Sequence, residues 1–185
     1  MMPAGYLFKS INRLPHGLQV PAHVRQILSV SGCFSPMFAD YIDHWLHNGL
    51  WLFDSPAAMA MIAKTSKLDL GSFTLFYYEI HALEYHEVTR SWVAVQPDGP
   101  VAVVAPPAKY RMGFDVVCHS QRNWPECSPL SCNGVCNQVV VNENCLFETL
   151  DDAKRALEQG HFDRTETGPF RIYAVYTVPQ IATMP

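Results

Sequence analysis

The chain is expected to fold as one α+β domain over residues 1–185, built mainly on an antiparallel sheet. About three to four helices are concentrated in the N-terminal half, with one more near the C-terminus. Three observations lead there. Capped, helix-periodic segments fall mostly before Gly71. Breaker-bounded runs rich in aromatic and β-branched residues dominate after it. The regular alternation of strands and helices that builds a parallel nucleotide-binding sheet is missing. A length of 185 residues is near that of a single domain.

The N-terminal elements come first. Tyr6 to Leu14 alternates as a strand and is closed by Pro15-His16-Gly17, and Pro21 can open a short helix through about Val30. Ser35 and Pro36 then start the clearest helix. Its apolar residues Met37, Phe38, Tyr41, Ile42, Trp45 and Leu46 recur at helical spacing, and Gly49 ends it. Leu50 to Phe53 reads as a short buried strand, and Asp54-Ser55-Pro56 caps a helix to about Lys64.

From Gly71 the period changes. Phe73 to His86 is a long strand without a breaker, and Ser91–Val95 pairs with Val101–Val104 through Gln96-Pro97-Asp98-Gly99-Pro100. Tyr110–Cys118 and Asn137–Val141 are further strands, and a Cys- and Pro-bearing loop over 119–136 is inserted between them. Thr149 caps a helix to Gln159, with Asp151 and Asp152 near its positive end, and Phe170–Val178 closes the sheet. No internal repeat stands out.

Composition bounds the function. Charged residues make up 16% of the chain, against roughly 25% in an average globular protein. That leaves apolar surface to be covered by a partner or a second copy. Net charge is −4 and no basic stripe occurs, which argues against nucleic acid and against an anionic membrane surface. The N-terminus lacks a charged region followed by an apolar run, so a cytoplasmic location is expected.

Two segments could carry chemistry. Cys127, Cys132, Cys136 and Cys145 could place thiolates around a tetrahedral zinc, with His119 as a nitrogen alternative. Alternatively, Cys132 could act as a nucleophile with His119 as its base. The second segment is the polar face of the 35–48 helix. Asp40, Asp43, His44 and His47 project together there and would suit an interface rim or a divalent metal. Glu79 with His81, and Glu84 with His86, are acid–base pairs on one strand. Phosphate loops, dinucleotide fingerprints, nucleophile elbows and HExxH are absent.

The expected function is therefore a non-enzymatic protein-binding module acting by surface complementarity, with no cofactor. An inhibitor or a toxin-neutralising immunity-type protein has this general character. The alternative is a thiol-dependent enzyme or zinc-binding protein that uses the 118–145 segment.

Overall fold

The computed structural model describes residues 1–11, 14, 19–33, 47–119 and 125–179. One six-stranded antiparallel sheet carries the fold. Its strands are β1 (Met2–Lys9), β2 (Thr74–Ile80), β3 (Leu83–His86), β4 (Ser91–Ala94), β5 (Tyr110–Cys118) and β6 (Phe170–Thr177). The helices are α1 (Pro56–Ser66), the short α2 (Pro129–Cys132) and α3 (Leu150–Glu158). The α+β expectation holds as a single antiparallel sheet with few helices.

Strand β6 is the centre. β5 covers one of its edges along the whole length, while β2 and β3 follow one another along the other edge. The expected strand over 73–86 is therefore two strands, separated by a bend at His81–Ala82, where the His81 N–H still donates to the Ile172 carbonyl. β1 adds outside β2 and β4 outside β3. Both faces are packed. β6 is buried from Phe170 to Val175, as the near-continuous apolar run of a central strand requires.

The two ends of this sheet are copies of one another. In the first copy, β1 carries a bulge at Gly5, and Tyr6 exchanges both backbone hydrogen bonds with Phe53. In the second, β5 carries a bulge at Gly113, and Phe114 exchanges the same pair with Phe147. Each bridge is followed by a capped helix: Ser55 accepts from the Ala58 N–H ahead of α1, and Thr149 accepts from the Asp152 N–H ahead of α3. Gly5 faces Tyr78, Tyr78 faces Val175, and Val175 faces Gly113 across four adjacent strands. The Tyr78–Val175 pair is thus the centre of a pseudo-two-fold.

The glycines are dictated by this packing. Their φ angles are 149° and 142°, and an added Cβ would stand 2.5 Å from the Leu52 Cβ or 2.7 Å from the Leu146 Cβ. In sequence the copies share Asn48 and Asn142, Leu52-Phe53 and Leu146-Phe147, then Asp54-Ser55 and Glu148-Thr149. The repeat is real but short, and the long unequal insertions between its parts hide it from a reading along the chain.

Four further expected elements take other forms, the first two overridden by tertiary hydrogen bonds. Residues 21–30 form a turn at Ala22–His23 followed by irregular chain, with the N–H groups of Arg25, Gln26 and Leu28 donating to the Glu143 and Asn144 carbonyls. Val101–Val104 is not a strand. Its approach is tied instead to the first-copy loop, where the Gly49 N–H donates to the Pro100 carbonyl and the Asp98 N–H to that of Gly49. Asn137–Val141 begins in a 3-10 turn over Val135–Asn137 and continues without ladder pairing. Leu50–Phe53 is a turn ending in a single bridge. The helix expected from Ser35 lies almost wholly outside the described residues. No helix among them is long and apolar enough to cross a membrane.

Candidate functional site

The strongest concentration of chemistry is a group of three thiols. The Sγ atoms of Cys33, Cys127 and Cys132 all lie within 4.8 Å of one another. Ligands at about 2.3 Å from a tetrahedral zinc stand about 3.8 Å apart, so small side-chain movements close the trio on an ion. Cys127 follows β5 and is bridged back to it: the Cys118 N–H donates to the Cys127 carbonyl, and the Glu126 N–H to that of Cys118. Cys132 ends the single turn of α2, which Pro129 starts. Cys33 arrives from the opposite end of the chain and is the exposed member, so an ion has a route in.

A buried polar network fixes where Cys33 lies. The Asp115 carboxylate, fully enclosed on β5, accepts from the Val30 N–H at 2.8 Å and from the Ser128 hydroxyl at 2.6 Å. The Ser31 N–H donates to the same Ser128 Oγ. The Lys9 ammonium, on β1, donates to the carbonyls of Ser29, Val30 and Ser31. Segment 29–31 is therefore gripped from two strands, and it delivers Cys33 to the loop whose Ser128 carbonyl also accepts the Cys132 N–H.

The three thiols shift one another's pKa in opposite directions. Hydrogen bonds from Cys127 and then Cys132 hold the Cys33 thiol far below the usual thiol range. Cys127 is driven up by its bonds to Cys132 and Cys33 and by burial. For Cys132 the bond with Cys127 pulls down, but Cys33 and burial outweigh it and leave the group at about 11. Thiols held this close perturb one another's ionisation, and a soft cation that binds them displaces their protons.

Several expected sites come apart. Cys136 and Cys145 do not join the trio; each has the other as its principal thiol partner. His119 is buried and stacks on Tyr173, with its Nε2 3.4 Å from the tyrosine hydroxyl. Cys132 takes thiol partners, Cys33 and Cys127. Of the expected interface residues, His47 stacks on Trp51 with ring centroids 3.9 Å apart, while Asp40, Asp43 and His44 lie outside the described residues. Glu84 and His86 do meet, at 3.1 Å, but Glu84 also accepts from the buried Arg171 at 2.7 Å, which makes it an ion-pair partner inside the sheet.

Sequence reasoning missed Cys33. It is 94 residues from Cys127, and no spacing pattern joins the two. The only available signal was that it is the sole cysteine outside 118–145. No protein-family model, curated protein or solved structure matches the chain.

Proposed function

We propose that this protein binds a thiophilic divalent metal ion, zinc first, through Cys33, Cys127 and Cys132. The observation that carries the reading is the convergence of three sulfur atoms from two distant segments within 4.8 Å. Three thiolates suit a borderline-soft ion and disfavour magnesium or calcium, which take oxygen ligands. The ion staples the 29–33 segment to the α2 loop and takes the place of the thiol protons. This corresponds to the metal-binding alternative drawn from the sequence, with Cys33 in place of Cys136 and Cys145.

The test is metal analysis of untagged protein, followed by cobalt titration. Bound metal near one equivalent, with a sulfur-to-cobalt charge-transfer band lost in Cys33→Ser, is the expected result. Binding that persists unchanged in Cys33→Ser, or no binding by wild type, ends the proposal.

A second reading keeps the expected protein-binding role. A groove of about 670 Å³ beside α1 is lined largely by apolar residues, among them Tyr6, Phe8, Ala60, Leu75, Val104 and Pro107. It would accept an apolar segment of a protein partner. The supporting result is a stoichiometric partner from the native host whose binding is lost in Ala60→Arg. A partner that binds this variant equally well places its site elsewhere.

A further inference from the structure

The Sγ atoms of Cys33, Cys127 and Cys132 lie within 4.8 Å of one another, and Cys33 is the exposed member. Its Sγ donates to the Glu126 carbonyl at 3.5 Å, so it lies against the backbone that carries Cys127. The hydrogen bonds that grip the incoming segment end at Ser31, two residues short of Cys33. Rotation of the Cys33 side chain is thus not opposed by the buried network around Asp115.

The repeat selects the partner. The 94 residues between Cys33 and Cys127 match no metal-ligand motif, but Asn48 and Asn142 are also 94 apart, as are Ser55 and Thr149. Each of the two cysteines stands just ahead of a Ser-Pro pair, Ser35-Pro36 or Ser128-Pro129. They are counterparts in the two copies, whereas Phe38 stands 94 residues before Cys132. Counterparts that meet do so across the pseudo-two-fold, and a bond between them joins the two copies.

We infer that Cys33 and Cys127 are a peroxide-oxidised pair whose disulfide takes two ligands from the metal site. The loss of metal rests on the metal-binding reading above; the bond itself does not. Exposure makes Cys33 the residue that meets hydrogen peroxide, and Cys127 is the buried thiol that resolves it. The Cys33 thiolate attacks one peroxide oxygen and the O–O bond breaks. Hydroxide leaves, takes up the proton the thiol gave up, and a sulfenic acid remains. The Cys127 thiolate then attacks the Cys33 sulfur, the S–O bond breaks, and a second water leaves. Two thiols lose two electrons and two protons, one sulfur–sulfur bond forms, and the peroxide is reduced to two waters.

The experiment treats metal-free and zinc-loaded protein with hydrogen peroxide, then quenches, alkylates and maps peptides without reductant. The expected product in the metal-free protein links Cys33 to Cys127, leaves Cys132 alkylated, and is reversed by dithiothreitol. Cys132→Ser keeps this link, and Cys127→Ser instead gives a Cys33 sulfenic acid trapped by dimedone. From zinc-loaded protein, one equivalent of zinc per link passes to a chromophoric chelator. A link involving Cys132, a disulfide between two chains, or Cys33 still alkylatable after peroxide overturns the inference, and so does zinc retained by linked protein. Wild type that binds no zinc yet forms the link supports the bond and ends the metal-binding reading alone.

Discussion

Asn48 and Asn142 hold the same position in the two copies of one loop and make the same set of hydrogen bonds. The Asn48 amide donates to the Ala4 carbonyl at 2.9 Å, and the Asn142 amide donates to that of Met112 at 2.8 Å. Each side-chain oxygen accepts from the backbone two and four residues on: Leu50 and Leu52 in the first copy, Asn144 and Leu146 in the second. Each amide also reaches the acidic residue before the helix cap, Asp54 or Glu148. One side chain closes the loop, ties it to the bulged strand and aims the helix.

Asn142→Ala removes these bonds and leaves backbone groups without partners. At about 1 kcal/mol for each bond lost, with a further charge for orphaned groups, the expected cost is roughly 2–4 kcal/mol. Asn48→Ala should cost a similar amount. Urea unfolding checks both, and a loss under about 1 kcal/mol in either variant would show that the loop holds without its asparagine.

Gly113→Ala places a Cβ 2.7 Å from both the Leu146 Cβ and the Phe147 carbonyl oxygen, at a positive φ. Both penalties act together, so the variant should be among the most damaging single-methyl additions in the chain. Its yield of folded protein and its melting temperature are the readouts. Wild-type stability would mean that the second-copy loop is not seated on β5.

Asp115 makes the stability depend on pH. Burial pushes its carboxyl up to about 6, against the opposing pull of Ser128, the Val30 N–H and Lys9. The folded-state value is raised above the unfolded 3.8, so the contribution is fully present below that pH and is lost as pH rises through about 6. The change is about 3 kcal/mol over that window. In Asp115→Asn the window disappears, so wild-type stability relative to the variant should fall between pH 4 and about 6.5. A flat difference in denaturant midpoints across this range would refute the assignment.

The Glu84–Arg171 pair bridges β3 and β6, with side chains only 12% and 5% exposed. Glu84→Gln leaves a buried guanidinium without its counter-charge, at a cost of roughly 3–5 kcal/mol. Replacing both residues, Glu84→Leu with Arg171→Met, should recover most of that loss. A double variant as unstable as the single one would show that packing, rather than charge, sets the cost.

How far the sequence reached depended on whether a signal was local. Ser55 and Thr149 start their helices where the capping pattern placed them, and Tyr110–Cys118 forms the strand its composition called for. Caps and turn-bounded strands depend on neighbours in the chain. Val24, Ile27 and Leu28 recur at helical spacing and are buried, yet the segment is not a helix, because the N–H groups of Arg25, Gln26 and Leu28 find partners 116 or more residues away. Helical spacing alone could not show this.

The sequence by itself determined the class of fold, the helices capped by Ser55 and Thr149, and the fact that thiols are this chain's distinctive chemistry. Only the tertiary structure decided which thiols meet. Spacing along 118–145 grouped Cys127, Cys132, Cys136 and Cys145. The fold instead separates Cys136 with Cys145 and draws Cys33 to the other two. The physical reason is Asp115 with Lys9: two buried charges on different strands, whose need for hydrogen-bond partners fixes residues 29–31 and so places Cys33.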